Sequence, residues 1–143
     1  MSYVLVIDDD PLFRRLIESA VGKDHNVETA ADGHEGYQAA LKQPPRLVVL
    51  DLLMPTWDGV QTMRAFRSDD KLSGVPVVLL TGSEDEPEIA EVRSLGVSAV
   101  LLKTGFSADG LREAVNAAIS HAAAAESKRV GGTIPVARQR FDD

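Results

Sequence analysis

The chain contains no cysteine, which removes disulfides, thiol nucleophiles and zinc–thiolate sites from consideration. It has no apolar run near the roughly 20 residues that cross a bilayer, so no membrane association is expected. The N-terminus enters Tyr3-Val4-Leu5-Val6-Ile7 without a basic segment or the small-residue cleavage site of a secretory leader. A cytoplasmic protein is the expectation. Positive charge is in deficit: 15 Lys and Arg against 22 Asp and Glu leave a formal net charge of -7. A body of that sign does not grip nucleic acid by itself, so no direct nucleic-acid partner is expected. What is present is ordinary for one globular domain: 143 residues, 44% hydrophobic and 26% charged, enough to bury one sizeable core.

Short apolar runs alternate with helix-period segments. The runs are Tyr3–Ile7, Asn26–Ala30, Leu47–Leu50, Val75–Leu80 and Ala99–Leu102. All but the second are rich in Val, Ile and Leu with little alternation, as strands covered on both faces require; the second is more polar and reads as an edge strand. Between them lie stripes at i, i+3, i+4 spacing. Leu12, Phe13, Leu16, Ile17, Ala20 and Val21 form the first, and Leu111, Ala114, Val115, Ala118, Ile119 and Ala122 the last. Shorter stripes are Tyr37, Ala40 and Leu41; Val60, Met63 and Phe66; and Ile89, Val92 and Leu95. Asp10-Pro11 reads as an N-cap followed by N1, Asp32 with Glu35 and Ser83 with Glu86 as capping boxes, and Gly22 and Gly96 as left-handed residues after helix ends.

Strand–helix alternation of this kind implies a parallel sheet with right-handed crossovers and helices on both faces. The expected fold is α/β, a flavodoxin-like doubly wound five-stranded parallel sheet of order 2-1-3-4-5 with five helices. Residues 1–125 are expected to form this domain. Beyond Glu126 the pattern stops: 127–143 holds Gly131-Gly132, Pro135 and four basic residues. Residues 126–143 are expected to be a flexible tail or a linker.

In such a sheet, ligands bind outside the carboxyl ends of the strands, where the strand order reverses. Strand one ends in Asp8-Asp9, strand three in Asp51, strand four in Thr81-Gly82 and strand five in Lys103. Strands one and three are neighbours in the expected order, which brings three carboxylates together. Like charges at such range need a proton or a cation among them. Carboxylate oxygens with open water positions suit Mg²⁺. A carboxylate flanked by a divalent cation, a lysine and a hydroxyl is arranged to receive a phosphoryl group, whose transfer rests on positioning and charge neutralisation. Taken singly, each residue has a plainer explanation: Asp10 as a helix cap, Asp51 as a surface acid, Thr81 as a loop threonine, Lys103 as a solvated lysine. The four strand ends together do not.

Four segments then resemble the receiver domains of response regulators in two-component signalling, of the chemotaxis-regulator type. They are Val4-Leu5-Val6-Ile7-Asp8-Asp9-Asp10-Pro11; Leu47-Val48-Val49-Leu50-Asp51-Leu52-Leu53-Met54-Pro55-Thr56-Trp57-Asp58-Gly59; Pro76-Val77-Val78-Leu79-Leu80-Thr81-Gly82; and Leu101-Leu102-Lys103. The resemblance spans roughly residues 3–122. It implies that Asp51 is the phosphoacceptor and that Asp9, Asp51 and the Leu53 carbonyl ligate Mg²⁺, with Asp8 helping directly or through water. Thr81 would hydrogen-bond the phosphoryl oxygen and Lys103 would pair with it. Asp58-Gly59 would start the third helix. The donor would be a sensor histidine kinase or phosphotransfer protein, the recipient a downstream output domain or protein. The surface of helix four, strand five and helix five would be the partner or dimer face. The protein would catalyse only its own phosphorylation and dephosphorylation.

Three positions depart from the family pattern. Val100 stands where strand five usually carries an aromatic switch residue, Thr104 follows the lysine in place of proline, and Leu53 is apolar at the second position after the acceptor. In relatives with Lys-Pro that bond is typically cis. Before threonine a cis bond costs roughly 2.5–4 kcal/mol; the expectation is nonetheless a retained cis Lys103-Thr104 bond, because the placement of the lysine outweighs the local cost. Two other functions compete. An aspartyl-phosphate hydrolase of the haloacid-dehalogenase type would need a second Asp where Leu53 stands. A phosphorylation-independent receiver-like interaction module would have no use for the five site positions, all of which are present.

Overall fold

The computed structural model describes residues 2–131, with side chains to residue 125. Elements alternate along the chain as β1 (Val4–Ile7), α1 (Pro11–Val21), β2 (Val27–Ala30), α2 (Gly33–Lys42), β3 (Leu47–Asp51), α3 (Gly59–Ser68), β4 (Val77–Thr81), α4 (Glu88–Ser94), β5 (Ala99–Leu102) and α5 (Ala108–Gly131). All neighbouring strands pair parallel, in the order β2-β1-β3-β4-β5. The flavodoxin-like arrangement expected from the alternation is the one observed. Of the segment 126–143 expected as a tail, α5 takes the part to Gly131 and the remainder lies outside the described residues. Among the described residues no helix is long and apolar enough to cross a membrane.

The period-2 geometry of a strand sends alternate side chains to opposite faces, and the apolar runs feed both. Leu5, Ile7, Val48, Leu50, Val77 and Leu79 pack with Ala40, Met63, Phe66 and Val92 of α2, α3 and α4. Val4, Val6, Leu47, Val49, Val78 and Leu80 pack with Ile17, Ala20, Leu111 and Val115 of α1 and α5. The central strands β1, β3 and β4 are buried throughout; β5, at the second edge, is only half-buried, and β2 exposes its middle residues.

Several local expectations are corrected. The stripe on α1 is narrower than its sequence: Ile17, Ala20 and Val21 are buried, whereas Leu12 is 59% and Leu16 40% exposed. The helix meets the sheet along an arc from Phe13 through Val21, and Leu12 and Leu16 sit on its flank. Gly22 is not left-handed; its φ is -65°, and glycine is needed there for room, since an added Cβ would stand 2.6 Å from the Glu18 carbonyl oxygen. Gly96 does take the left-handed conformation, at φ +88°. Ser83 does not cap α4. Its Oγ accepts from the Asp85 N–H, and Pro87 at the N-cap makes no side-chain bond; the loop after β4 closes on itself before the helix starts. Asp10 caps α1 as expected, accepting from Leu12 N–H. Asp32 accepts from Glu35 N–H, while Glu35 reaches back one residue further than a capping box, to Ala31 N–H. The complete capping box is on α3, between Asp58 and Gln61.

Arg67 ties the far side of the sheet together. Its guanidinium donates to the carbonyls of Leu95 and Gly96 at 2.7 Å each, Val75 at 2.9 Å and Ser73 at 3.2 Å. One side chain at the end of α3 thereby satisfies carbonyls at the α4 C-terminus and in the α3–β4 loop, groups that a helix end and a loop otherwise leave open. Arg64 of α3 and Glu91 of α4 form an ion pair beside it.

Candidate functional site

The strand order reverses between β1 and β3, and the carboxyl ends of these strands carry the acids. Ile7 pairs with Leu50 in register, so Asp8 and Asp51 leave the sheet side by side. One carboxylate oxygen from each of Asp8, Asp9 and Asp51 lies within 4.8 Å of the others. Asp8 and Asp51 are buried, at 1% and 6% exposure, and Asp9 faces solvent. Lys103 closes the cluster: its Nζ is 2.9 Å from Asp8 Oδ2 and 3.4 Å from Asp51 Oδ2. Asp8 Oδ2 is buried without a hydrogen bond of acceptable geometry, so its contact with the ammonium is ionic. Its other oxygen accepts from Asp10 N–H at 2.9 Å.

Local backbone explains why these groups converge. Lys103 N–H donates to the Thr81 carbonyl at 2.7 Å, which extends the β4–β5 ladder by one step and carries the lysine to the rim. Thr81 is fully buried and its hydroxyl donates to the Ser83 carbonyl at 3.3 Å. Behind Asp51 the chain turns into α3 through Gly59, whose N–H donates to the Leu52 carbonyl at 2.7 Å. An added Cβ on Gly59 would stand 2.9 Å from the Asp51 carbonyl oxygen, so this close approach admits only glycine. In the same loop Thr56 has φ 69°, a left-handed conformation that a β-branched residue adopts at a cost. Leu53 is 49% exposed on this rim.

The expected cis bond is not there: among the described residues every peptide bond is trans. The lysine still reaches both carboxylates. Phe106 N–H donates to the Lys103 carbonyl at 3.1 Å, and Gly105 has φ +74°. A four-residue turn with a positive φ at its third position returns the chain by the route a type II turn uses. The trans bond avoids the local cost of a cis bond before threonine, and glycine at position 105 supplies the reversal.

Burial first, then the negative charge of Asp8, pushes the Asp51 carboxyl up from 3.8 to about 7; Lys103 pulls against this and Asp9 adds to it. Burial alone would lower the Lys103 pKa, but its contacts with Asp8 and Asp51 outweigh that and hold the ammonium above its ordinary 10.5. The site thus carries more negative charge than one lysine neutralises. A compact set of hard oxygen donors, one of them buried and without a hydrogen bond, fits a small divalent cation.

The sequence missed three residues of the site. Arg14 Nη1 donates to the Asp8 carbonyl at 2.7 Å and fastens α1 to the end of β1. The ring of Phe13 lies under Lys103, with Nζ 4.5 Å from its centroid. Phe106 meets that ring edge-on at 5.8 Å. Phe13 reads in the sequence as one more residue of an apolar stripe; only the return of the chain after β5 reveals what stands above it.

The response regulator receiver domain family matches residues 4–116. The chain is 34% identical over 104 residues to the transcriptional regulatory protein AfsQ1 of Streptomyces coelicolor, covering 72% of this chain and 45% of that protein. It is 31% identical over 126 residues to the sensor histidine kinase TmoS of Ectopseudomonas mendocina, covering 88% of this chain and 13% of the kinase. It therefore spans less than half the length of these curated relatives. Among solved structures, the chemotaxis protein CheY4 of Vibrio cholerae superimposes with a TM-score of 0.76 at 26% identity, over 82% of this chain and 98% of that one. The chain belongs to the response regulator receiver domain family and is homologous to the receiver domains of two-component regulators and histidine kinases.

Proposed function

We propose that Asp51 is the phosphoacceptor of this receiver domain, with a sensor histidine kinase or phosphotransfer protein as donor. The observation that carries this is the convergence of Lys103 on two buried carboxylates, at 2.9 Å and 3.4 Å, beside a third. A phosphorylated histidine would present its phosphorus in line with an Asp51 carboxylate oxygen. A new P–O bond forms as the P–N bond breaks, the imidazole leaves with the electron pair, and Asp51 carries an acyl phosphate. Such transfers depend on alignment and charge neutralisation more than on covalent chemistry by the protein. Lys103 neutralises part of the incoming dianion from within a contact already made. Thr81 exchanges its hydroxyl contact with the Ser83 carbonyl for a phosphoryl oxygen, which pulls on the loop after β4.

Asp9, Asp51 and the Leu53 carbonyl are the proposed Mg²⁺ ligands, with Asp8 held partly by Lys103 and assisting. A divalent cation there supplies charge neutralisation and a template for the phosphoryl oxygens. The output partner, or a second copy in a dimer, is proposed to dock on the α4–β5–α5 face. The protein is read as a switch rather than an enzyme acting on other substrates. Incubation with acetyl phosphate and Mg²⁺, followed by intact-mass measurement, tests the core of this. The parent gains one phosphoryl mass and Asp51→Asn gains none; an undiminished adduct on the variant sinks the assignment.

A further inference from the structure

We propose that the face of Phe13, braced edge-on by Phe106, is a positioning element that aims the Lys103 ammonium at the phosphoryl site; this rests on the role of Lys103 proposed above. The ammonium lies 4.5 Å from the Phe13 ring centroid, inside the roughly 6 Å range over which the negative face of an aromatic ring attracts a cation. Its side chain is only 17% exposed, so water screens the contact little. The two rings stand 5.8 Å apart at 87°, the edge-to-face geometry that aromatic pairs favour. Phe106 reaches this position because the turn from Lys103, with Gly105 at φ +74°, brings the chain back over α1.

Asp8 and Asp51 hold the ammonium from one side. If they alone held it, an arriving phosphoryl group would have to compete with two carboxylates for a flexible four-carbon side chain. The ring holds it from another side without a directional hydrogen bond. It confines the ammonium in a dry position yet lets it slide toward a new anion. A carboxylate or carbonyl in place of the ring would trap the charge instead. In this chain, with threonine after the lysine, the ring pair and the glycine turn together set the direction of the side chain. The first turn of α1 is itself fixed to the site by the Arg14 bond to the Asp8 carbonyl and by the Asp10 cap, so the ring is a rigid support.

The test uses the full chain with Mg²⁺ and fluoroberyllate as the phosphoryl mimic, titrated calorimetrically, with Phe13→Leu and Phe13→Tyr compared. Leucine keeps the apolar volume and loses the ring face; tyrosine keeps the face. Phe13→Leu is expected to bind fluoroberyllate about fivefold to tenfold more weakly, and Phe13→Tyr within about twofold of the parent. In the parent the ε-methylene protons of Lys103 are expected to be shifted upfield by the ring current, and Phe13→Leu is expected to lose that shift. Equal fluoroberyllate affinity for the leucine variant and the parent overturns the proposal. So does equal weakening by leucine and tyrosine, which would mark Phe13 as packing alone. A parent that takes up no fluoroberyllate refutes the phosphoryl role of Lys103, and the positioning role goes with it; that result is distinct from a parent that binds and a leucine variant that binds as well.

Discussion

Replacing Asp51 by asparagine should make the metal-free protein more stable, and by an amount that depends on pH. The side chain keeps its shape and loses its charge. In the parent, Asp51 shares a buried space with Asp8 and, more distantly, Asp9, against one ammonium, and its pKa rises from 3.8 to about 7. Between those two values the folded protein holds the proton more tightly than the unfolded chain does. Stability therefore falls as pH rises through that window and is lowest above it. A rise of about three units, at about 1.4 kcal/mol each, puts the cost near ~4 kcal/mol at pH 8. The same linkage leaves about 2 kcal/mol at pH 5 and about half a kcal/mol at pH 4, where the folded state is protonated and the unfolded chain is only partly ionised. Asparagine carries none of this cost. Urea unfolding followed by circular dichroism, in EDTA, should show the variant ahead of the parent by up to about 4 kcal/mol at pH 8, with the gap shrinking as pH falls and the slope against urea unchanged. Saturating Mg²⁺ should narrow the gap at pH 8, because a ligand that binds only the folded parent stabilises it by about 2.7 kcal/mol at 100 times its dissociation constant. A gap that stays flat from pH 5 to pH 8, or a variant less stable than the parent at pH 8 in EDTA, would refute the claim that the carboxylate cluster is held in excess negative charge.

Three further outcomes follow from single contacts. Asp9→Ala should weaken Mg²⁺ binding at least tenfold by calorimetry, since it leaves one direct carboxylate for an ion that sheds water reluctantly; unchanged affinity would mean that the proposed ligand set is wrong. Arg67→Met should cost about 2 kcal/mol or more and speed amide exchange at the C-terminal end of α4, because four carbonyls lose a charged donor at once; normal stability would show that water replaces the guanidinium freely. With fluoroberyllate and Mg²⁺ bound, amide protection should change from Thr81 through Pro87, since Val100 cannot act as an aromatic rotamer switch; changes confined to β5 would contradict this.

The architecture was legible because its signals are repeated. Three fully buried strands show as unbroken apolar runs, and each helix brings its own stripe and boundary residues. The failures lie where one residue type serves two ends. Ser83 followed by Glu86 has the spacing of a capping box, but Asp85 N–H lies nearer to the serine hydroxyl than the helix does. Gly22 matched a left-handed C′ residue by position, whereas the structure uses it for its missing Cβ. Leu12 and Leu16 satisfied the helical period, yet a period fixes only which residues share a stripe, not how wide an arc the sheet covers.

The site divides along the same line. Asp8, Asp9, Asp51, Thr81 and Lys103 were legible because each is a polar residue ending an apolar strand, and the strand order alone brings such ends together. The means of aiming Lys103 were not legible, because they depend on the path of the chain after β5. A cis bond before threonine would place the lysine at a cost of roughly 2.5–4 kcal/mol. A trans bond followed by a left-handed glycine places it without that cost. Phe106, which ends that turn, packs edge-on against Phe13, and Phe13 in turn meets the ammonium. The trans Lys103-Thr104 bond, the left-handed Gly105 and the two phenylalanines thus form one continuous arrangement. No residue in it declares its part in the sequence, since a glycine in a loop and a phenylalanine in an apolar stripe are each fully explained by local rules.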